Sequence, residues 1–484
     1  MSAPPPDPGS DAERIRLLEH QLDYLRAELL HLTHERFHHV YSAAWLIYTP
    51  LRAAEAALVR RTTALWRRLS PQKAAVTAPR ASAALAPLAV VRQPAARLLV
   101  DVTGTAKRDA GTGIQRVVKE VARALHSGAA FELPALAVRS ENGRLYTCHA
   151  FLTGLDGVDR GADVEVAVAP GDRLLMLSDS WNAIDELAGV VEAVRGQGGE
   201  IISCIFDLIP ELYPHACHEV TVPRYHEWLR RALLDSDAFL AISRSVADEL
   251  ADFIATHDPP RRPGLKIGWF HCGADLAAAA GGEAAPRPKI RAAAVGPAPT
   301  FLSVGTIEPR KGARVALQAF EQLWDKGVDA TLTFVGRRGW FEEAVCAEIL
   351  RHREFGARLF WFDDASDAEL TFLYDTARAL IFASYAEGFG LPIVEAAQRG
   401  RAVICSDIPV FREVGRDGAL YFRVNDPGAL ATAVEDFLSG RTATAPARIL
   451  QTSWLEAAQR IVAIVARDDW SHRLDGEGRP EIGE

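Results

Sequence analysis

The stretch ALIFASYAEGFGLPIVEAAQRGRAVICS, residues 379–406, contains the pattern from which the fold can be worked out. Two short apolar runs, ALIFAS and AVICS, flank a glycine-containing turn and a helical pattern, and this strand, helix, strand order is typical of parallel sheets. Pro392 stands where the first turn of a helix tolerates proline, so we expect the helix to begin near Leu391. Glu387 precedes the turn and Glu395 lies inside the helix. These two glutamates are the first candidate site residues.

The same alternation of apolar runs and helical patterns extends over most of the chain from residue 97. One set of runs reads ARLLVDV, DRLLMLSD, EIISCIFD, AFLAIS and KIGWF, and a second reads FLSVG, TLTFVG, RLFWF, ALIFAS, AVICS and ALYF. Each set predicts a parallel α/β sheet. Because ligands of open parallel sheets bind beyond the carboxyl ends of the strands, two such domains would enclose a cleft.

Composition shifts along the chain predict the order of its regions. We expect a helical and coiled-coil region at residues 1–70, an Ala/Pro-rich linker at 71–96, a Rossmann-like domain at 97–276, an interdomain linker at 277–299, a second Rossmann-like domain at 300–440, and a C-terminal helix and tail at 441–484.

The N-terminal region carries two patterns of its own. Isoleucine and leucine recur at alternating spacings of three and four over residues 15–32, as in a coiled-coil seam. A homodimer through this seam and a helix packed on its own protein both fit. Residues 42–69 mix aromatic side chains with arginines, which fits a peripheral membrane contact or an amphipathic helix packed on the rest of the chain.

Overall composition excludes several classes of protein. A net charge of −9 argues against broad nucleic-acid binding, so no nucleic-acid partner is expected. The six cysteines lack the close pairs of a zinc site or a disulfide framework, which indicates a reducing cytoplasm. No apolar run reaches the roughly 18 residues that span a bilayer. We therefore expect a cytoplasmic protein, with attachment to the inner face of the cytoplasmic membrane left open.

The turn after ALIFAS has the features of an anion site. Backbone N–H groups near Gly390 and Leu391 can hold a phosphate at the start of the helix. Glu395, one helical turn further, could accept two hydrogen bonds from a ribose diol, and Glu387 lies on the opposite side of the turn, where a sugar would emerge. Alternatively, a glutamate in an early helical turn can simply interact favourably with the positive end of the helix dipole, without binding a ligand.

Two further segments follow predicted strands and add cations or glycine. SVGTIEPRKG, residues 303–312, contains Arg310 and Lys311, which are the two cations that a diphosphate requires or else a solvated basic pair. TGTAKRDAGTGIQRV contains a glycine-rich loop at Gly111 and Gly113, with Arg116 just inside the next helix. A turn without a ligand is the alternative for this loop.

These segments together resemble a known family. The run FLSVGTIEPRKG, then LTFVG, then ELTFLYDTARALIFASYAEGFGLPIVEAAQRGRAVICSDIPVFREVG resembles the retaining glycosyltransferases of family 4, over residues 300–440. The first domain agrees through TGIQRV, CIFDLIPELYP, AFLAISRSVADEL and HCGADL. The resemblance implies the GT-B fold, in which two Rossmann-like domains face each other, and a sugar-nucleotide donor without a metal or other cofactor. Because TIEPRKG resembles bacterial polysaccharide mannosyltransferases, GDP-mannose is the first donor expected.

The resemblance also assigns roles to individual residues. Glu395 would hold the nucleotide ribose, Glu387 would contact the donor sugar, and Lys311 would neutralise the diphosphate. Gly113 would close over the diphosphate from the other domain. The sugar and diphosphate would meet the backbone of Gly388, Phe389, Gly390 and Leu391.

Two departures from the family pattern affect these roles. Many members have an arginine directly after the strand glycine, where this sequence has Thr306, so Arg310 either supplies the missing donor-site charge or points to solvent. Many also have a histidine before the aspartate of a first-domain loop, where Phe206 precedes Asp207 here. A mechanism that uses this histidine cannot be transferred, while Asp207 stays a candidate for contacting the acceptor hydroxyl.

The expected activity is transfer of a hexose, mannose first, from a sugar nucleotide to a hydroxyl of a glycan or lipid-linked glycan in bacterial surface polysaccharide synthesis. The resemblance implies retention at the anomeric carbon. One alternative is a metal-dependent transferase that uses Asp235 and Asp237, but these residues precede a strand, whereas ligands are expected after strand ends. Another alternative is a noncatalytic scaffold that binds nucleotide or partners, against which the joint presence of Glu387, Glu395 and Lys311 argues.

Overall fold

The computed structural model describes residues 96–109, 111–178, 184–275 and 285–474. Over these ranges the chain forms two β-sheets with helices packed on them. The coiled-coil and arginine-aromatic patterns expected within residues 1–70, and all but the last residue of the 71–96 linker, lie outside the described residues. Among the described helices, none combines the length and the apolar composition that a membrane span requires.

The first sheet has the order β15-β8-β7-β6-β5-β1-β2-β3-β4 and the second has the order β11-β10-β9-β12-β13-β14. The strands are β1 Leu98–Asp101, β2 Ala135–Glu141, β3 Arg144–Thr147, β4 Glu165–Val166, β5 Arg173–Met176, β6 Glu200–Ile205, β7 Ala238–Ala241, β8 Leu265–Trp269, β9 Thr300–Val304, β10 Thr331–Val335, β11 Leu359–Phe362, β12 Ala379–Phe382, β13 Ala402–Ser406, β14 Leu420–Phe422 and β15 His472–Leu474.

Every apolar run predicted as a strand forms one, and the second sheet is parallel throughout. The parallel sheet expected in the first domain is confirmed for β1, β5, β6, β7 and β8, and β2 pairs with β1 in parallel. Three strands that the sequence did not predict, β3, β4 and β15, join this sheet in antiparallel pairs. Antiparallel strands need no continuous apolar run, because one face of an antiparallel sheet can be exposed, and an edge strand can also be very short. β4, for example, contains only Glu165 and Val166.

The helices cover the faces of the two sheets. They are α1 Thr103–Lys107, α2 Gly113–Leu125, α3 His149–Asp156, α4 Ile184–Gly196, α5 Ile209–Leu212, α6 Thr221–Asp235, α7 Arg244–His257, α8 Pro288–Ala294, α9 Ala313–Asp325, α10 Glu343–Arg351, α11 Asp367–Thr376, α12 Leu391–Gln398, α13 Pro409–Gly415, α14 Pro427–Leu438 and α15 Trp454–Arg467. Short 3₁₀ turns occupy Pro214–Ala216, Pro309–Lys311 and Pro446–Arg448.

Two helices that lie outside the predicted domains pack against the two sheets. α8 lies within the segment expected as the interdomain linker and buries Ile290, and its Ala293 carbonyl accepts a hydrogen bond of 3.3 Å from Thr300 Oγ1 at the start of β9. α15 returns to the first sheet, where it packs against α2. Its Val465 carbonyl accepts from Arg173 Nη1 at 3.2 Å. The predicted C-terminal helix is therefore part of the first domain's core.

The strand order determines where loops from the second sheet meet. The order reverses between β9 and β12, so the loops that follow these two strands leave the same edge of the sheet side by side. One loop is the SVGTIEPRKG segment and the other contains Glu387 and the Gly-Phe-Gly turn. Segments far apart in sequence thus become neighbours at the carboxyl edge.

Candidate active site

Glu387 joins the two loops at the carboxyl edge of the second sheet. Its Oε2 accepts a hydrogen bond of 2.8 Å from Arg310 Nη1, and its Oε1 accepts one of 2.5 Å from Lys311 Nζ. The Glu387 side chain is only 10% exposed. Both cations that were predicted to bind a diphosphate therefore converge on one largely buried carboxylate.

The electrostatics of this cluster favour the charged form of Glu387 and disfavour the charged form of Lys311. Burial alone would raise the pKa of Glu387, but Arg310 and Lys311 outweigh burial and lower that pKa to about 2. Burial lowers the pKa of Lys311, and the charge of Arg310 lowers it further against the opposing effect of Glu387. A second anion entering here would therefore compete with Glu387 for the same two cations.

Arg310 does not point to solvent, since its side chain is paired and only 20% exposed. Besides Glu387, it contacts the Ala386 carbonyl at 3.2 Å through Nη1 and Glu308 Oε1 at 2.8 Å through Nη2. Thr306 lies earlier in the same loop and is partly exposed. The arginine charge is thus present beside the Glu387 loop, although it comes from a different position than in many family members.

Asp207 approaches Glu387 from the first domain. It follows β6, and its Oδ1 accepts a hydrogen bond of 3.0 Å from Ile209 N. Burial raises the pKa of Asp207, and the nearby Arg310 partly offsets this. The loops of the two domains touch here, because a Cβ atom added to Gly388 would lie 1.9 Å from the Phe206 carbonyl oxygen and 3.3 Å from Asp207 Cβ.

The first domain also holds the Gly-Phe-Gly turn through polar and aromatic contacts. Ser243 Oγ donates to the Gly388 carbonyl at 2.8 Å, and the same hydroxyl caps α7 by accepting from Val246 N at 3.1 Å. The Phe389 ring is buried, with its centroid 5.9 Å from that of His271. Its side chain thus contacts the first domain, and only its backbone remains a candidate for donor contact.

Two helix N-termini meet at the same place. α12 begins after Gly390, whose φ is 100° and which no side chain caps. α2 begins at Gly113 and has Thr112 and Gln115 in a capping box. A Cβ atom on Gly113 would lie 3.9 Å from Leu391 Cδ1, so the two helix starts face each other across the domain boundary. The N–H groups of helix starts favour anions, as a diphosphate site requires.

Glu395 lies inside α12 and is almost fully buried. Its Oε2 accepts a hydrogen bond of 2.7 Å from the Tyr374 hydroxyl, and its Oε1 forms an ion pair with Arg116 of α2 in the first domain. Because each carboxylate oxygen has two lone pairs, these partners leave acceptor capacity for further hydroxyl groups. The sequence singled out Arg116 only through its neighbouring glycine loop, and it carried no signal for Tyr374.

A second carboxylate joins the domains away from the predicted residues. Glu413 of α13 accepts hydrogen bonds from the backbone N–H groups of Arg244 and Ser245, each at 2.8 Å, and from Ser245 Oγ at 2.6 Å. His271 Nε2 lies 2.7 Å from the same carboxylate. Glu413 therefore caps α7 of the opposite domain. The position of Ser245 after a predicted strand was the available signal, whereas nothing in the sequence marked Glu413.

The aspartates of the metal-dependent alternative lie elsewhere. Asp235 ends α6, and Asp237 precedes β7, at the amino end of the strand. Asp237 Oδ2 accepts from Ile201 N at 2.8 Å, and its Oδ1 accepts from Arg262 Nε at 2.5 Å. Asp237 thus links β6 and β7 at the amino edge of the first sheet, whereas Glu387 follows the carboxyl end of β12 in the second sheet.

The contact at Gly388 leads to a first prediction. We expect Gly388→Ala to lower any activity of this site by about 100-fold, because the new methyl group must displace the Phe206 backbone and a misplacement near 1 Å can cost that much. Gly154→Ala is the matched control, since a Cβ there meets nothing within 4 Å. Turnover and thermal midpoints of both variants check the prediction. Equal activity of Gly388→Ala and wild type would show that the domains do not need this contact.

Comparisons with known proteins agree with the geometry. Residues 288–459 match the model of a family described as glycosyl transferases group 1. The serotype-specific mannosyltransferase WbdA of Escherichia coli is 34% identical over 368 residues, which are 75% of this chain and 45% of that protein. The O-antigen chain mannosyltransferase B of Escherichia coli is 34% identical over 163 residues, covering 32% of this chain and 42% of that protein. The chain thus spans less than half the length of these relatives.

Among solved structures, HepE of Anabaena in complex with UDP-glucose matches with a TM-score of 0.50 at 14% identity, over 77% of this chain and 97% of that one. At this identity the likeness concerns the fold alone. It confirms the GT-B fold expected from the sequence, in which two α/β domains face each other.

Proposed function

We propose that the protein is a sugar-nucleotide-dependent glycosyltransferase that retains the configuration of the anomeric carbon, and the match of residues 288–459 to the model of glycosyl transferases group 1 supports this proposal. The observation that carries this proposal is the buried Glu387 held by Arg310 and Lys311 beside Asp207 of the other domain. The mannosyltransferase names of the relatives support mannose as the hexose and a surface polysaccharide as the product.

The donor diphosphate would lie between the start of α12 and the start of α2. Arg310 and Lys311 would exchange part of their pairing with Glu387 for the phosphate oxygens, which preserves charge neutralisation in a buried site. Glu395 would accept hydrogen bonds from the ribose hydroxyls while it keeps Arg116 and Tyr374 as partners. GDP-mannose remains the first donor that we propose, and no residue of this site is assigned to a metal.

The reaction would proceed on the face from which the diphosphate leaves. The bond between the acceptor oxygen and the anomeric carbon forms as the bond from that carbon to the phosphate oxygen breaks, and the acceptor proton passes to the departing phosphate oxygen. Asp207 would orient the acceptor hydroxyl, and Glu387 would contact the sugar. Lys311, Arg310 and the start of α12 would stabilise the charge of the leaving group.

The acceptor that we propose is a hydroxyl of a glycan or lipid-linked glycan. A peripheral contact of residues 42–69 with the inner face of the cytoplasmic membrane and a homodimer through residues 15–32 remain proposals from the sequence. Deleting residues 1–96 tests both, since sugar-nucleotide binding should persist while sedimentation with anionic liposomes and the dimer should be lost.

A panel of sugar nucleotides tests the proposed donor. We expect GDP-mannose and GDP to raise the thermal midpoint more than UDP-glucose and dTDP-glucose, because a ligand at a hundredfold excess over its Kd stabilises the folded state by about 2.7 kcal/mol. Incubation of GDP-mannose with a mannose-terminated acceptor in excess chelator should then yield an α-linked product by NMR. If no nucleotide shifts the midpoint, the transferase proposal is wrong, and a β-linked product would contradict retention.

A further inference from the structure

Aromatic side chains of both domains lie next to the proposed reaction centre. Tyr385 stands two residues before Glu387, and its backbone N donates to the Arg310 carbonyl at 2.9 Å. Its ring centroid is 5.7 Å from that of Tyr213, in the segment that follows Asp207. Both tyrosines are partly exposed. The aromatic pair thus crosses the domain boundary beside the two carboxylates.

A second aromatic pair extends this surface. Trp340, in the loop after β10, donates Nε1–H to the Ala216 carbonyl of the first domain at 2.9 Å, and its ring lies 6.3 Å from that of His218. The next residue, Phe341, is 55% exposed. We call Tyr213, Trp340, Phe341 and Tyr385 the aromatic rim.

Phe341 does not have the conformation of an ordinary surface residue. Its φ of 61° lies in the left-handed region, which is costly for a bulky side chain. Burial of the ring would be the usual compensation, yet more than half of the side chain is open to solvent. Leu212 and Val220, on the facing segment of the first domain, are 42% and 46% exposed. Such an apolar surface next to a reaction centre indicates a binding surface.

We propose that the aromatic rim binds the sugar units of the acceptor glycan, behind the unit whose hydroxyl receives the transferred hexose. The proposal rests on the proposed transferase function. Tyr213 and Tyr385 lie in the two segments that carry Asp207 and Glu387, where the acceptor hydroxyl must arrive. Trp340 contacts the first of these segments at Ala216. Hexose rings are neutral and present C–H faces that pack on aromatic rings, while their hydroxyl groups reach polar neighbours. A lipid surface is the competing occupant, and the test separates it from a glycan.

Phe341→Gly tests the rim because it should separate stability from glycan binding. Glycine adopts a positive φ without strain, so the thermal midpoint should stay unchanged or rise by about 2 °C. Loss of the ring should raise the Kd for an α-linked mannotetraose, measured by saturation-transfer NMR, by about fivefold, while the GDP-induced thermal shift stays as in wild type. A loss of stability with unchanged glycan binding would overturn the proposal.

Further variants keep the proposal falsifiable if Phe341→Gly folds poorly. Tyr213→Leu keeps an apolar side chain but removes the aromatic face, and it should weaken mannotetraose binding in the same way. Phe355→Ala, at a residue that is 39% exposed and outside the rim, should leave binding unchanged.

The failure of this proposal can be told apart from failure of the proposed function. If wild type is stabilised by GDP but binds mannotetraose no better than the rim variants do, only the rim assignment is wrong. If no nucleotide stabilises wild type, the transferase function itself fails. A third outcome would replace the glycan assignment by a membrane surface. In that outcome wild type binds vesicles of phosphatidylglycerol and phosphatidylethanolamine, Phe341→Gly weakens this binding, and mannotetraose does not bind at all.

Discussion

Glu387→Gln should lower the rate of sugar transfer by about 10²- to 10³-fold, because a neutral amide cannot supply the charge that the carboxylate places at the reacting sugar. The affinity for GDP should be kept or should increase. Arg310 and Lys311, which the carboxylate now binds at 2.8 and 2.5 Å, would become available to the diphosphate. Turnover and titration calorimetry with GDP measure the two effects separately.

The stability of the same variant gives an independent check. Removing one partner of a buried ion pair costs about 3–5 kcal/mol, so the free protein should unfold at a lower temperature. GDP should restore more of this loss than it adds to wild type, because its phosphates replace the missing anion. Glu308→Gln is the matched control, since the buried carboxylate of Glu308 forms an ion pair with Arg310 but makes no ion pair with Lys311. A transfer rate of Glu387→Gln within tenfold of the wild-type rate would show that Glu387 acts only as a structural counterion of Arg310 and Lys311.

Glu395→Gln should weaken GDP binding by about 10- to 100-fold, because a hydrogen bond to a charged acceptor contributes about 1.5–3 kcal/mol. The loss should be specific to the ribose. Wild type should bind GDP more tightly than 2′-deoxy-GDP, and the variant should bind the two with similar affinity. Unchanged discrimination in a folded variant would defeat the ribose assignment.

Arg116 complicates the interpretation of this variant, because it loses its partner across the domain boundary. A double-mutant cycle with Arg116→Met separates the two effects. The double variant leaves no unpaired buried charge, so it should regain stability relative to Glu395→Gln without regaining GDP affinity. Recovery of both would mean that Glu395 acts only by joining the domains.

The strands of the second sheet could be read from the sequence because of where they lie. A parallel strand covered on both faces must be apolar along most of its length, and runs such as ALIF and AVICS have this property. The edge strand β4 was missed because two residues carry no periodicity. β2 was missed as well, because the polar residues of its second half interrupt the apolar run and the residues at its two ends are partly or fully exposed.

Local chemistry also determined much of the site. Short segments of sequence are enough to predict the turn before α12 and the proline in the first turn of that helix. They also place four candidate residues next to strand ends or turns, namely Glu387, Glu395, Arg310 and Lys311. Whether Arg310 meets Glu387 or solvent could not be read, because the two residues belong to loops that become neighbours only through the reversed order of β9 and β12.

Contacts between the domains required the tertiary structure altogether. Arg116 and Glu395 are separated by 279 positions, and Ser243 and Gly388 by 145. The local sequence around one residue of such a pair does not indicate which residue it will contact. Only the packing of one whole domain on the other brings the two within hydrogen-bond distance. The sequence by itself therefore determined the two α/β units and the residues at their strand ends, whereas the docking of the two domains decided which of those residues meet.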